Sequence, residues 1–283
     1  MKLQNKTILI TGASSGIGKA VALRVARDGA TVLLAARSRE KLEAVAREVE
    51  SLGGIAEVYI CDVTSFDDIK NLFLSATKDG RVLDVVFNNA GLGYVENLVN
   101  LKEEQIKKII DVNIYGMIMV SKVAAEVFSR QKHGHIIMTS SVAGLIALPQ
   151  WSVYVASKWA ITGFASCIRP ELKPYGVKVT TLHPGLVKTE FFDADNANLD
   201  IKNMGEAITS EEVAGAVYDA IFTDKKKIII PAIAKSYAFL FKYLPGISEK
   251  LLESRAGEIE NKSLSGVEDM PEFDYIKSIR SEE

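Results

Sequence analysis

The chain of 283 residues is poor in the side chains that staple or ligate. It has two cysteines, Cys61 and Cys167, each in an apolar stretch, and three histidines. Two such thiols exclude a disulfide framework and are expected to be buried and reduced. No metal site is expected. Neither sign of charge dominates: 34 Lys and Arg face 36 Asp and Glu, a net charge of -2. A nucleic-acid-binding face would need a basic surplus, so that class is excluded. There is no uncharged apolar run of 18 or more residues, hence no expected membrane span. No signal peptide is visible, because residues 1–6 lead straight into the first apolar run, so the cytoplasm is the expected location. Internal repeats and low-complexity segments are missing too.

What is present is apolar residue, 48% of the chain, in alternating patterns. Runs of strand length occur at 7–11, 30–35, 55–61, 85–88, 134–140, 177–183 and 227–231. Segments of helical period fill the gaps at 16–28, 38–52, 65–76, 102–130, 154–175 and 210–222. Gly29, Gly53, Gly54 and Gly80 stand at or just past helix ends, and Ser38 and Ser210 are expected N-caps. Near-continuous apolar strands alternating with helices imply a doubly wound parallel α/β sheet of about seven strands, covered on both faces. After Pro231 the chain changes character. A helical, Phe- and Tyr-rich segment at 232–244 precedes Pro245-Gly246 and an acidic, weakly periodic tail. Residues 1–231 are therefore assigned to the main domain and 232–283 to a C-terminal helical extension.

The first strand runs into Thr11-Gly12-Ala13-Ser14-Ser15-Gly16-Ile17-Gly18, which opens a helical pattern. Glycines there let backbone N–H groups approach a pyrophosphate, and the helix N-terminus adds partial positive charge. Tyr154 and Lys158 stand four residues apart, on one face of a helix, and Ser141 lies at the end of a strand thirteen residues before Tyr154. Together with Asp62-Val63, Asn88-Asn89-Ala90-Gly91, Asn113 and Pro184-Gly185, these motifs resemble the short-chain dehydrogenase/reductase family over about residues 5–231. The resemblance implies a Rossmann-like fold and an oxidoreductase that moves a hydride between a nicotinamide cofactor and a ketone or secondary alcohol. It implies catalytic roles for Ser141, Tyr154, Lys158 and Asn113. In this reading Tyr154 is the proton donor, Lys158 lowers its pKa, Ser141 donates to the substrate oxygen, and Asn113 holds a relay water. Cofactor contacts are implied for Gly12, Ser14, Ser15, Gly16, Ile17, Gly18, Arg37, Asp62, Val63, Asn89, Ala90, Gly91, Tyr154, Lys158, Pro184, Gly185, Val187 and Thr189. Ser140 is the competing serine, and strand alternation points it to the other face.

The end of the second strand bears on cofactor form. An acidic residue would accept from a ribose 2′-OH; here Ala36 is neutral and Arg37 follows. A guanidinium suits a 2′-phosphate, with Arg39 able to assist, so NADP(H) is the expected cofactor. Tyr94, Leu145, Leu148, Trp151, Phe191 and Phe192 point to an apolar, lipid-like or steroid-like substrate, under a lid formed by residues 193–204. A homodimer through the helices at 102–130 and 154–175 is expected, and the aromatic extension is expected to cover the substrate mouth or a subunit contact, with peripheral membrane attachment as a further option. Pro170 is expected to bend its helix. The alternative to an enzyme is a non-catalytic NADP(H)-binding sensor or scaffold on the same fold. Against it stand all four implied catalytic residues, which a sensor does not need.

Overall fold

The computed structural model describes residues 1–189, 191 and 207–263, with side chains described as far as Ser254. Seven strands form one parallel sheet: β1 (Thr7–Thr11), β2 (Thr31–Ala36), β3 (Ile55–Ile60), β4 (Val85–Asn88), β5 (Gly134–Thr139), β6 (Val177–Pro184) and β7 (Lys227–Ile230). Their spatial order is β3-β2-β1-β4-β5-β6-β7, so the winding reverses between β1 and β4. The register sets Ile8 beside Val85 and Leu9 beside both Leu33 and Val86.

Side chains alternate along each central strand and load two cores. Ile8 and Ile10 of β1 and Val32 and Leu34 of β2 pack under α1 (Gly16–Ala26), α2 (Arg39–Ser51) and α7 (Ser210–Ile221). Leu9, Leu33 and Ala35 face α3 (Phe66–Ala76), α5 (Met117–Gln131) and α6 (Ser152–Leu172). Each large side chain so buried stabilises the fold by about 1.5–3 kcal/mol.

Several expectations need correction. The helix at 102–130 is three pieces: α4 (Glu103–Ile109), a π-helical turn at Ile110–Gly116, and α5. The stretch Glu103–Gln131 holds an 18-residue segment of mean hydropathy 1.2 and is long and apolar enough to cross a membrane by composition. Its Val120, Ala124 and Phe128 are instead buried against the sheet, which is what makes a core helix this apolar. The N-cap of α7 is Thr209, not Ser210: its side chain accepts from Glu212 N–H while Glu212 reaches back to Thr209 N–H. α6 continues through Pro170 to Leu172. Cys167 is exposed on α6, whereas Cys61 is buried and its thiol is pushed up to about 12 by burial. The extension holds two helices, α8 (Ala234–Tyr243) and α9 (Pro245–Ser263), the second where only weak periodicity is visible in the sequence.

Candidate active site

The strand ends at the reversal between β1 and β4 open into one continuous cleft of about 1530 Å³. This is where a doubly wound sheet leaves a crevice, because the helices on either side diverge. Gly12, at φ +65°, makes the turn out of β1, and a Cβ there would stand 2.9 Å from Ala90 Cα. A Cβ on Gly18 would stand 2.1 Å from the Gly12 carbonyl oxygen, so α1 can seat against the turn only without a side chain. Thr11 Oγ1 accepts from Asn89 N–H at 2.9 Å and from Ala90 N–H at 3.1 Å, which locks the β4 loop to the turn. Asn89 Nδ2 donates back to the Thr11 carbonyl at 3.3 Å. α1 starts at Ser15, whose side chain caps nothing, and its first turn carries no acidic residue. Its leading N–H groups are thus left for an anion beside Ser14, Ser15, Gly16 and Ile17 on the cleft wall. The cradle fits a dinucleotide pyrophosphate.

The adenosine end of such a ligand would meet Ala36, Arg37, Ser38, Asp62 and Val63, all on the wall. Arg37 is exposed there. Arg39 is not on the wall; its guanidinium lies 3.7 Å from Glu43, one helical turn away. Lys41, which the sequence reading passed over, lines the wall instead. Ser38 caps α2 by accepting from Lys41 N–H, so Lys41 sits in the first turn of α2.

At the opposite end α6 brings Tyr154 and Lys158 to the wall, one turn apart, facing Ser141 from the end of β5. Lys158 Nζ donates to the Thr139 carbonyl at 3.1 Å and stands 5.5 Å from the centre of the Tyr154 ring. Burial pushes the Lys158 ammonium down to about 8. Burial pushes the Tyr154 phenol up to about 12, opposed by a hydrogen bond with the Ser141 hydroxyl. The ring is shut between Trp151 and Phe191, edge-on at 5.6 and 6.1 Å, and this burial disfavours the phenolate. Tyr154 is a proton holder at neutral pH. Ser141 Oγ accepts from Ala143 N–H at 3.1 Å and donates to the Pro184 carbonyl at 3.3 Å, tying β5 to β6. Ser140 turns away, as alternation requires, to the Lys158 carbonyl and Thr162.

Most implied cofactor residues meet on this one surface: Gly12, Asn89, Ala90, Gly91, Pro184, Gly185, Val187 and Thr189 all line it. Two implied residues do not. Gly18 sits behind the turn for the packing reason given. Asn113 is fully buried one layer back. Its Oδ1 accepts from Leu92 N–H at 2.9 Å, and its Nδ2 donates to the Leu92 carbonyl at 2.8 Å and to Ser157 Oγ at 3.1 Å. The amide thus clamps the loop after Gly91, where a Cβ would stand 3.4 Å from Lys158 Nζ. Among the substrate-side residues, Leu148, Trp151 and Phe191 line the cleft, with Ile146. Tyr94 packs instead with Leu101 and Ile109, and Leu145 is off the wall. Phe192 and the lid at 193–204 fall outside the described residues. The extension contributes Ile233, Ala234 and Tyr237 to the cleft mouth. Its aromatic content is the sequence signal that marks them.

Comparison with known proteins agrees with this geometry. A sequence model described as short chain dehydrogenase matches residues 6–200. The chain is similar to a 3-oxoacyl-[acyl-carrier-protein] reductase of Thermotoga maritima, 36% identical over 189 residues, covering 67% of this chain and 77% of that one. It is similar to human 17-beta-hydroxysteroid dehydrogenase 13, 29% identical over 262 residues, covering 92% and 85%. In structure it is similar to an alcohol dehydrogenase from the archaeon Thermococcus sibiricus complexed with 5-hydroxy-NADP. That match has a TM-score of 0.72 and 30% identity, covering 80% of this chain and 95% of the other.

Proposed function

The chain belongs to the short-chain dehydrogenase family, and from that premise we propose that it is an NADPH-preferring reductase of apolar ketones. The family makes it an oxidoreductase that works with a nicotinamide dinucleotide. The observation that carries the finer reading is one cleft with a cationic end at Arg37 and Lys41 and an apolar end around Tyr154. Ala36 offers no carboxylate to a ribose 2′-OH, while a guanidinium and an ammonium complement a 2′-phosphate. The 5-hydroxy-NADP bound by the similar archaeal enzyme supports this choice. Leu148, Trp151 and Phe191 form a wall without charge beside the phenol, which suits an acyl or ring-fused carbonyl compound. The names of the similar acyl reductase and steroid dehydrogenase point the same way.

The residues divide the chemistry. The turn at Gly12 and the start of α1 would hold the pyrophosphate, and Asn89, Ala90 and Gly185 would lie along the nicotinamide half. When bound, the nicotinamide supplies the hydride for the carbonyl carbon. Tyr154 gives its phenolic proton to the carbonyl oxygen, and its burial keeps the phenol protonated until that step. The Ser141 hydroxyl donates to the same oxygen as charge develops on it. The Lys158 ammonium stabilises the phenolate left behind, and Asn113 keeps Leu92 and Gly91 packed against that ammonium.

The test is a titration of both reduced cofactors followed by a panel of hydrophobic ketones. The wild type is expected to bind NADPH more tightly than NADH. Arg37→Asp is expected to lose NADPH affinity by about tenfold to a hundredfold, since a charge-assisted hydrogen bond contributes about 1.5–3 kcal/mol. Equal affinity of the wild type for both cofactors overturns the preference. We also infer a homodimer through α4–α6, supported by the exposed Ile110, Tyr115 and Trp159 on that face. Trp159→Glu is expected to give monomers in sedimentation velocity, and an already monomeric wild type removes the dimer.

A further inference from the structure

α8 leaves the end of β7 at the cleft rim and turns back along that strand, bringing Lys242 beside Lys227. It buries little. Ala234 is covered, but Ile233, Tyr237, Phe239, Tyr243 and Leu244 are exposed, Phe239 at 59% and Tyr243 at 57%. α9 adds Ile247, exposed at 56%, and Leu251. An exposed apolar patch of this extent on one hairpin needs an occupant. Ile233 and Tyr237 belong both to this surface and to the cleft wall, so the two are continuous.

The charge around the patch names the occupant. Residues 225–254 carry six lysines and two glutamates, in a chain whose net charge is -2. Lys227, Lys242 and Arg169 stand close enough for the last two to push protons off Lys227, in addition to its burial. A two-fold contact centred on this cationic cluster would set it against its own copy, because residues at the axis of an isologous interface meet themselves. Aromatic rings with lysines at their margin suit a bilayer surface, where the rings enter the headgroup level and the ammonium groups stay in water. Phe239 and Tyr243 stack at 4.8 Å between ring centres, with the Lys242 ammonium 5.0 Å from the Tyr243 ring.

We propose that the α8–α9 hairpin is a monotopic docking face for anionic lipid, which seats the cleft mouth at the membrane surface. The face is argued apart from the chemistry in the cleft, so it is tested without substrate. Full-length protein is floated with vesicles of about three parts phosphatidylcholine to one part phosphatidylglycerol, and with phosphatidylcholine alone. The protein is expected to float with the anionic vesicles, less with neutral ones, and less at high salt. Lys235→Glu with Lys242→Glu should weaken binding by about 25-fold or more, at about fivefold per basic residue near an anionic surface. Phe239→Ser, Tyr243→Ser and Ile247→Ser together should weaken it by at least about tenfold, with an unchanged melting temperature, since the three side chains are exposed. Three results overturn the proposal. One is flotation that neither set of changes alters. Another is a solution dimer that the serine variant converts to monomer, which gives the face to a second copy. The last is full-length protein that floats with neither vesicle.

Discussion

Tyr154 and Lys158 carry opposite costs of the same burial. The phenol resists losing its proton and the ammonium resists keeping its own, so the pair is charged only on the lysine, and only up to about pH 8. For reduction this sets the sign of the pH dependence. The phenol remains a donor across the working range, while Lys158 loses its charge as pH rises through about 8. We expect kcat/KM for ketone reduction to be flat below neutrality and to fall on the alkaline side with a midpoint near 8. A rate still flat at pH 10 would remove the lysine charge from the mechanism. Tyr154→Phe keeps the ring between Trp151 and Phe191 and deletes only the proton. Its turnover should drop by about 10²–10⁴-fold with cofactor affinity retained. Two buried histidines behave differently. His135 Nε2 meets Thr180 Oγ1, which already donates to the Lys225 carbonyl, so that ring nitrogen is the donor and His135 Nδ1 is left without a hydrogen-bond partner. His183 Nδ1 donates to the Ser141 carbonyl at 2.9 Å. Burial first, then nearby lysines, lowers both pKa values to about 4, while the Ser141 carbonyl partly opposes this at His183. The unfolded chain, at about 6.5, binds these protons more tightly. Their contribution is therefore intact above about pH 6.5 and is lost as pH falls from there toward 4. Melting curves should show a steep drop between pH 6.5 and 5, before most carboxylates titrate; a level melting temperature over that window contradicts it.

At the scale of elements, the capping box of α7 is the clearest local device. Thr209→Ala removes one side of a reciprocal pair and should cost about 1 kcal/mol, seen as a lowered melting temperature with unchanged catalysis. Ser210→Ala should do much less, although Ser210 is the residue that the sequence pattern favours. The difference shows where sequence reading stops. Strands and helices of the sheet are legible because each central strand feeds two cores, and their order places the glycine turn, Ser141 and Tyr154 on one rim. The cap is ambiguous because Thr209 and Ser210 are both good caps and only backbone geometry chooses. The π turn at Ile110–Gly116 leaves no mark in composition. α9 hides because its apolar residues do not gather on one face. Asn113 is legible as a family position, yet its clamp on Leu92 is a backbone contact that no side-chain pattern announces. Lys41 escapes notice because its position on the cleft wall depends on the angle at which α2 leaves Ser38.

For the whole molecule, the cleft draws on loops after nearly every strand of one sheet, so filling it should stiffen the fold as a unit. A ligand that binds only the folded chain, at about one hundred times its Kd, stabilises it by about 2.7 kcal/mol. NADPH is expected to raise the melting temperature by about 5 °C in a chain of this size. Arg37→Asp should remove about half of that rise or more and leave the unliganded melting temperature unaltered, because Arg37 is exposed. A ligand-free difference between the two proteins would mean that the guanidinium supports the fold instead. The all-parallel sheet has a further consequence. Every strand begins on one rim and ends on the other, so the two rims share no work. On the starting rim Leu3 N–H donates to the Asp28 carbonyl, Lys6 pairs with Asp84 at 2.9 Å, and Met1 packs on Gly29. A surface coupling or fusion made at Met1 therefore holds the enzyme by its inert side. Immobilised that way on a bead or an electrode, it would present the cleft mouth outward.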